Sequence, residues 1–264
     1  MITQIKDFLP TNHPWQNRII YHDVTDSTNN QAKALVKQGA PHGTVVIAER
    51  QTGGRGRLGR RFSSPAGMGV YLSAILRLQE TPDQLMHLTC ASAVAACDAV
   101  EKAAGLRPNI KWTNDLVYEG RKLGGILTEL VIENGETAVI IGIGINCCQE
   151  TSDFPEDIQS FAGSLVMVCG HSIDRAKVAA ALIEAFCDMA DHLQSDKSVI
   201  LDAYRQNCIT LGKQISLQKA DEIRHGSALD IDENGALIVE FSDQHTETVN
   251  AGEVSVRGMY GYCP

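Results

Sequence analysis

The stretch "RQTGGRGRLGRRF", residues 50–62, carries five arginines in a 264-residue chain whose net charge is −9. The same stretch contains the pattern G-x-G-x-x-G at Gly54, Gly56 and Gly59. Three structures are compatible with it: a dinucleotide-binding turn, a nucleic-acid-binding arginine tract, and a loop that holds a small anion. The surrounding sequence discriminates between them.

The residues after Gly59 exclude the dinucleotide-binding turn. In that turn the third glycine opens a helix that crosses back to a parallel strand, a connection of a dozen or more residues. Here "RRFSSPAGMG" (60–69) leads directly to the next predicted strand, and Ser-Ser-Pro-Ala-Gly is not a helical sequence. A phosphate-binding P-loop is excluded as well, because the chain has no G-x-x-x-x-G-K-[ST] pattern.

The charge of the whole chain argues against a nucleic-acid partner. Nucleic-acid-binding domains are usually basic, with an isoelectric point above about 9, whereas the isoelectric point of this chain is about 5.3. A solvated surface loop without a ligand is the remaining alternative to an anion site, and the loop alone leaves both open. Because neighbouring cations repel one another, an anion-binding loop should be mobile until its anion offsets that repulsion.

Composition and cysteine usage indicate a cytoplasmic protein. Hydrophobic residues make up 44% of the chain and charged residues 21%, as in ordinary globular proteins. The eight cysteines form no C-x-x-C pair, which favours buried free thiols in a reducing compartment. No apolar run reaches the roughly 20 residues of a membrane span, and "MITQIKDFLPTNHPW" (1–15) is no secretory signal, so we expect no membrane partner.

The order of predicted elements indicates an α+β protein with a small second domain. Alternation and periodicity predict strands, helices and hairpins in the first two hundred residues, followed by short strands only. The last part reads as a barrel-like β module of about fifty residues. The predicted elements are strands over 18–24, 43–51 and 69–78, helices over 27–39 and 81–105, hairpins turning at 119–120 and 134–135, helical periodicity over 172–206, and five strands after residue 210 with a turn at 232–235.

Two further stretches favour a ligand site. "KWTNDLVYEGRKLGGILTEL" (111–130) places several charged and amide side chains around a glycine pair that leaves room for a ligand. "VIIGIGIN" (139–146) has glycine at every second position, so one face of the strand has no side chains. Such a face predicts a flat molecule against the backbone, and the alternative is tight packing on a helix.

Five motifs in register resemble the biotin–protein ligase family. They are D-S-T-N at 26–29, G-R-G-R-x-G-R at 54–60, K-W-x-N-D-L at 111–116, R-K-L-x-G-I at 121–126 and G-x-G-x-N at 142–146. The resemblance is strong over about residues 20 to 150 and weaker beyond. It implies a mixed sheet flanked by helices, of the class II synthetase-like biotin/lipoate ligase type, over residues 1–208, and a small SH3-like C-terminal β-barrel over 209–264.

The resemblance implies a two-step ligase. Biotin would react with ATP, accompanied by Mg²⁺, to give biotinyl-5′-AMP and pyrophosphate. The biotinyl group would then pass to a lysine of a biotin carboxyl carrier domain, for example that of acetyl-CoA carboxylase. Family members often dimerise by joining sheets edge to edge, so a homodimer is also expected.

The resemblance also assigns site residues, and the residue chemistry agrees with it. Arginine and lysine would neutralise the carboxylate and the phosphates, and short polar groups would bind the ureido ring. Metal ligands cannot be assigned. The expected catalytic residues are Arg55, Lys122 and Asp115; the expected biotin-binding residues are Ser27, Thr28, Asn29, Gln51, Gly54, Arg55, Gly56, Arg57, Lys122 and Gly142; and the expected ATP-binding residues are Arg57, Arg60, Phe62, Lys111, Asn114 and Asn146.

Two positions depart from the family pattern. Thr113 stands where the family usually has proline, and Phe62 where some members have tryptophan.

Two alternative functions stay open. A lipoate–protein ligase is the nearest alternative, although its dithiolane substrate has no ureido donors. A nucleic-acid-binding protein that uses the arginine loop is the other. About seventeen residues precede the first predicted strand, too few for the DNA-binding domain of some members, so we expect a monofunctional ligase.

The acidic charge generates a first prediction. The protein should bind duplex or single-stranded DNA no more tightly than non-specific binders do, with a Kd of about 10⁻⁴ to 10⁻⁶ M at physiological salt. A fluorescence-anisotropy titration checks this. Submicromolar, sequence-dependent binding would contradict the monofunctional interpretation.

Overall fold

The structure, a computed structural model, describes residues 1–77, 85–133, 135–193, 195–219, 222–250 and 253–256. The end of the predicted strand 69–78, the start of the predicted helix 81–105, the turn residue at 134 and the end of the last predicted strand lie outside these residues. The helices are α1 (Ile2–Phe8), α2 (Thr28–Lys37), α3 (Leu85–Ala104), α4 (Leu165–Cys169), α5 (Arg175–His192) and α6 (Lys197–Asn207). The strands are β1 (Ile19–Thr25), β2 (Thr44–Gln51), β3 (Gly69–Arg77), β4 (Asn109–Lys111), β5 (Asp115–Tyr118), β6 (Arg121–Glu133), β7 (Glu136–Asn146), β8 (Gln214–Lys219), β9 (Glu222–Ile231), β10 (Leu237–Phe241), β11 (Thr246–Val249) and β12 (Glu253–Val256).

A mixed seven-stranded sheet forms the centre of the larger part, as expected. Its strand order is β1-β2-β3-β7-β6-β5-β4. Strands β1 and β2 are parallel because α2 connects them, and every other neighbouring pair is antiparallel. Short hairpins join β5 to β6 and β6 to β7. At the first of these, Glu119 and Gly120 both have positive φ (46° and 74°), the backbone of a tight two-residue turn.

Helices cover both faces of this sheet unequally. On one face α3 and α5 pack in a large apolar core that takes in alternate residues of β7, namely Val139, Ile141, Ile143 and Ile145. On the other face α2 buries Ala32 and Val36 against Ile140. The positions of β7 that continue this second face are Gly142, Gly144 and Asn146. The second face therefore changes from apolar packing to small and polar residues beyond the N-terminal end of α2.

The helical periodicity predicted over 172–206 corresponds to two helices, α5 and α6. The side chain of Asp174 caps α5, since its Oδ1 accepts from the backbone N–H groups of Ala176 and Lys177. Helix α1 was not expected, because its seven residues contain a single buried position, Ile5. Among the described residues, no helix is both long and apolar enough to cross a membrane.

The C-terminal part is a small antiparallel β domain, as the sequence predicted. Its five strands run in the order β11-β10-β9-β8-β12. The predicted turn between β9 and β10 is present: Asp232 Oδ1 accepts from the backbone N–H groups of Asn234 and Ala236, and Gly235 has a φ of +88°. Only glycine adopts that φ readily, which explains its position in the turn.

This turn contacts the segment that connects β4 to β5. The indole N–H of Trp112 donates to the carbonyl oxygen of Gly235 at 3.0 Å, and its backbone N–H donates to Thr210 Oγ1 at 2.9 Å. The hydroxyl of Tyr204, on α6, donates to the carbonyl of Thr113 at 3.0 Å. The β4–β5 segment is thus held from behind by α6 and by the C-terminal domain.

Removing the indole donor should destabilise this junction. The Trp112→Phe substitution leaves the buried Gly235 carbonyl without that partner, at a cost of about 1–3 kcal/mol. Urea unfolding followed by circular dichroism measures the loss. An unchanged unfolding midpoint would show that the bond contributes nothing to stability.

Candidate active site

A cavity of about 1170 Å³ opens on the sheet face beyond α2. Small-molecule sites usually measure about 300–1,000 Å³, so this one is large enough for two substrates side by side. All the residues expected from the sequence line it: Ser27, Thr28, Asn29, Gln51, Gly54, Arg55, Gly56, Arg57, Arg60, Phe62, Lys111, Asn114, Asp115, Lys122, Gly142 and Asn146.

One end of the cavity is a network of neutral polar groups around the start of α2. Gln51 Oε1, at the end of β2, accepts from the backbone N–H of Thr28 at 2.8 Å and from its hydroxyl at 3.1 Å. Gln51 Nε2 donates to Ser64 Oγ at 2.9 Å. The buried Ser73 hydroxyl lies 2.8 Å from Thr28 Oγ1 and 2.6 Å from Asn29 Oδ1. Such an end suits an uncharged ligand that both donates and accepts hydrogen bonds.

Both polar atoms of the Asn29 amide are hydrogen-bonded to protein groups in this network. Its Oδ1 accepts from Ser73, and its Nδ2 donates to Glu129 Oε2 at 2.8 Å and to the Leu127 carbonyl at 3.3 Å. The residue is 4% exposed. Asn29 therefore uses its whole amide to join α2 to β3 and β6.

The glycine face of β7 is filled by protein side chains. A Cβ added to Gly142 would lie 2.0 Å from Asn29 Oδ1, and one added to Gly144 would lie 2.4 Å from the Phe62 ring. Phe62 also packs edge-on against Tyr71, with ring centroids 6.3 Å apart. The alternative of tight packing on a helix thus applies at Gly142, while at Gly144 the missing side chain makes room for an aromatic ring.

The arginine loop forms a hairpin in the structure, and its expected mobility stays a prediction. The backbone N–H of Phe62 donates to the Gly54 carbonyl at 2.9 Å, and that of Gly56 donates to the Arg60 carbonyl at 2.7 Å. A 3₁₀ turn at 57–59 forms the tip, where Leu58 is 72% exposed with a φ of +55°. Backbone pairing therefore gives the loop a defined hairpin shape.

Protein groups also bind two of the loop arginines. Arg55 Nη2 donates to Asn30 Oδ1 at 2.7 Å and to Glu129 Oε2 at 3.2 Å. Arg57 Nη1 donates to Thr113 Oγ1 at 2.6 Å and to Asn114 Oδ1 at 3.0 Å. The expectation that only a bound anion could offset the repulsion between the arginines is wrong, because Glu129 supplies a negative charge within the protein.

Glu129 was missed by sequence analysis, since it lies in a regular strand outside the expected site residues. Burial alone would raise the pKa of its carboxyl group, but hydrogen bonds from Lys33 and Asn29 and the charge of Arg55 outweigh burial and hold the pKa below its usual value. The carboxylate is therefore the stable form at neutral pH. Its signal in the sequence was a single acidic residue within the apolar run "GGILTELVI" (124–132).

Lys122 and Asp115 form the second charged pair of the site. Lys122 Nζ lies 2.6 Å from Asp115 Oδ1, and the two side chains are 30% and 19% exposed. The backbone of Lys122 is held as well, because its N–H donates to the Phe161 carbonyl at 2.7 Å and its carbonyl accepts from Gly163 at 2.9 Å. Lys122 is thus a positioned cation.

The segment 154–162 forms a wall of the cavity that sequence analysis also missed. Phe154, Pro155, Asp157, Ile158 and Phe161 line the cavity on this side. The segment carries no recognisable motif, and its position depends on backbone bonds to Lys122. Within the described part of the chain, no cluster of three or more His, Cys, Asp or Glu side chains could hold a metal ion.

The two asparagines that were expected to bind ATP brace the site through their amides. Asn114 Nδ2 donates to the Ile126 carbonyl at 2.7 Å, and Asn146 Nδ2 donates to the Gly163 carbonyl at 3.0 Å. Lys111 is buried at the end of β4. Asn114 thus ties the β4–β5 connection to β6, and Asn146 ties the residue that follows the 154–162 wall to the end of β7.

Comparison with known proteins agrees with this geometry. Residues 21–146 match the biotin/lipoate A/B protein ligase family, and residues 210–257 match the biotin protein ligase C-terminal domain. The bifunctional ligase/repressor BirA of Bacillus subtilis is 38% identical over 231 residues, which cover 85% of this chain and 70% of that protein. The biotin–[acetyl-CoA-carboxylase] ligase of Mycobacterium tuberculosis is 31% identical, over 87% of this chain and 85% of its own.

A solved structure gives the same result. The biotin protein ligase from Aquifex aeolicus in complex with biotin and ATP superposes with a TM-score of 0.78 at 26% identity, covering 91% of this chain and 98% of that one. The fold and the site define a ligase of the biotin/lipoate class. The chain belongs to the biotin/lipoate A/B protein ligase family.

The packing of Gly142 generates a prediction. In Gly142→Ala the new methyl group would collide with Asn29 Oδ1, so Asn29 should move and break its bond to Ser73, with a loss of about 1–3 kcal/mol of stability. Thermal unfolding measures the loss. Gly56→Ala is the control, since its Cβ would meet no atom closer than 3.7 Å. Equal stability of the two variants would contradict the packing described for Gly142.

Proposed function

We propose that this protein activates biotin with ATP, giving biotinyl-5′-AMP and pyrophosphate, and transfers the biotinyl group to a lysine of a biotin carboxyl carrier domain. The observation that carries the proposal is the division of one cavity into a neutral polar end and a cationic end. The neutral end suits the ureido ring of biotin, and the cationic end suits its carboxylate together with the phosphates of ATP. The relatives named biotin ligases support the same substrates.

The first step brings two anions into contact, and the cationic end makes this favourable. A carboxylate against a polyphosphate repels by several kcal/mol in a partly dry site at an effective dielectric constant of about 20. Arg55, Arg57, Arg60 and Lys122 line the cavity where this repulsion must be offset. We assign Lys122 to the reacting α-phosphate, because its ammonium pairs with Asp115 and its main chain is held by bonds to Phe161 and Gly163.

The neutral end favours biotin over lipoate. Thr28 and Gln51 present a hydroxyl, an amide and a backbone N–H in one network, with Ser27 beside them. A dithiolane ring offers no N–H donor and no carbonyl acceptor, so it would gain no hydrogen bond from these polar groups, whereas a ureido ring would. We therefore assign Ser27, Thr28 and Gln51 to direct contact with biotin and Asn29 to holding them.

For ATP we propose the opposite end of the cavity. Arg60 and Lys111 would contact phosphate oxygens, and Phe62 would pack against the nucleotide. Asn114 and Asn146 would act through the backbone that they brace. Asp115 would orient Lys122 in the first step and assist the incoming lysine in the second.

Magnesium fits this cavity as an ion held mainly by the phosphates. Mg²⁺ usually takes one or two protein carboxylates besides phosphate and water, and Asp115 and Asp157 are the carboxylates among the described lining residues. These two would hold it. When bound, the ion would neutralise phosphate oxygens.

The wider assignments are proposals that depend on this activity. We propose the carrier domain of acetyl-CoA carboxylase as the acceptor. The Mycobacterium tuberculosis relative is named for that enzyme. We propose a reducing, cytoplasmic location, in line with the seven free cysteines among the described residues. We further propose a division into residues 1–208 and 209–264, a homodimer, and no DNA binding in view of the isoelectric point of about 5.3.

Isotope exchange between ATP and pyrophosphate tests the activity. Exchange should require biotin, and lipoate should not replace it. The Lys122→Ala substitution should depress exchange by at least ~100-fold, the scale for losing one positioned charge at a developing anion. The matched control is Lys102→Ala, which removes a lysine paired with Glu184 on α5 and should leave exchange within about twofold of the unmodified protein.

Two outcomes would count against these assignments. Exchange that depends on lipoate but not on biotin would contradict the proposed substrate. Near-normal biotin-dependent exchange in Lys122→Ala would remove Lys122 from the mechanism while leaving the substrate assignment intact.

A further inference from the structure

Three side chains, two from α2 and one from the arginine loop, meet at Glu129 on β6, and two of them, Asn29 and Arg55, line the cavity. Glu129 Oε1 lies 2.6 Å from Lys33 Nζ, and its Oε2 accepts from Asn29 at 2.8 Å and from Arg55 at 3.2 Å. Arg55 in turn donates to Asn30 at 2.7 Å. Glu129 therefore joins the arginine loop, the first turns of α2 and strand β6 through one carboxylate.

The charges of this cluster leave a net positive charge at the site. Lys33 and Arg55 carry two positive charges and Glu129 one negative charge, so the three groups sum to about +1 at neutral pH. One carboxylate thus keeps Arg55 in place without cancelling the cationic character of the cavity. An arriving anion would find an arginine that is already positioned and still attractive.

We propose that Glu129 is a positioning residue that holds the arginine loop and Asn29 in their binding arrangement before biotin arrives. It acts through Arg55 and Asn29 and has no contact with the reacting atoms. In its absence Arg55 would lose its ion pair, only the backbone bonds and the Arg57 contacts would hold the loop, and the affinity for biotin would fall by the fraction of molecules with a misplaced loop. The chemical step at saturating substrate would change little.

Limited trypsin digestion of the ligand-free protein tests this directly, independently of any activity. In Glu129→Gln the amide still accepts from Asn29 but no longer attracts Arg55. Cleavage after Arg57, Arg60 and Arg61, followed by mass spectrometry, should be about fivefold faster than in the unmodified protein, the scale for losing one half-exposed ion pair. With biotin and MgATP bound, cleavage should return to the rate of the liganded unmodified protein.

The matched control is Glu136→Gln on the same hairpin. Glu136 pairs with Arg77 at 2.8 Å, and its side chain is 74% exposed. The substitution makes the same charge change without contact to the loop. Its cleavage rate in the loop should equal that of the unmodified protein.

The second test rests on the proposed function. In biotin-dependent ATP–pyrophosphate exchange, Glu129→Gln should raise the KM for biotin by about fivefold and leave kcat within about twofold, because saturating biotin restores the loop. A residue with a general structural role would lower kcat and thermal stability together. If the unmodified protein shows no biotin-dependent exchange, the proposed function fails, whereas the digestion experiment still decides the role of Glu129.

The positioning role is overturned if ligand-free Glu129→Gln is cleaved in the loop no faster than Glu136→Gln. It is also overturned if kcat falls while the KM for biotin stays constant. Should Glu129→Gln not fold, Glu129→Asp replaces it, since its carboxylate is one methylene shorter and withdraws from Arg55. The same increase in cleavage is then expected, and its absence has the same meaning.

Discussion

Like-charge repulsion among the cations of the site is the constraint on which the rest of this structure depends. Arginines concentrated in one loop and a nearby lysine must stay close together whether or not an anion is bound. The protein meets this requirement with its own acceptors: Glu129 for Arg55, Thr113 and Asn114 for Arg57, and Asp115 for Lys122. Each acceptor lies on a strand or strand connection of the central sheet. The acceptors on the central sheet therefore fix the positions of the charged side chains that the loop provides.

The absence of side chains on the glycine face of β7 has an equally general effect. Because Gly142 and Gly144 have no side chains, Asn29 and Phe62 can approach the strand backbone. Asn29 then links α2 to β3 and β6, and Phe62 closes the base of the arginine loop. The neutral end and the cationic end of the cavity are thus built on neighbouring positions of one strand, which sets them side by side.

The C-terminal domain takes part in the same arrangement through the β4–β5 segment. Trp112 and Thr113 are bound from behind by Gly235, Thr210 and Tyr204, while Arg57 binds Thr113 and Asn114 from the cavity side. A displacement of the C-terminal domain would therefore reach the residues that receive the loop arginine. This coupling runs through direct hydrogen bonds between buried groups.

The sequence by itself determined the elements and the chemical inventory of the site. Alternation, turn residues and glycine spacing depend on local backbone geometry, which is why the strands, the hairpin at 119–120 and the turn at 232–235 were predictable. The motif residues were predictable because each sits in a local pattern. Only the tertiary structure decided their partners, since Ser73 and the 154–162 wall carry no local signal and the lone acidic residue at Glu129 does not indicate which residues it contacts. Whether a carboxylate in a strand faces solvent or an arginine 74 residues away depends on how the strand is packed, and that packing is a property of the whole fold.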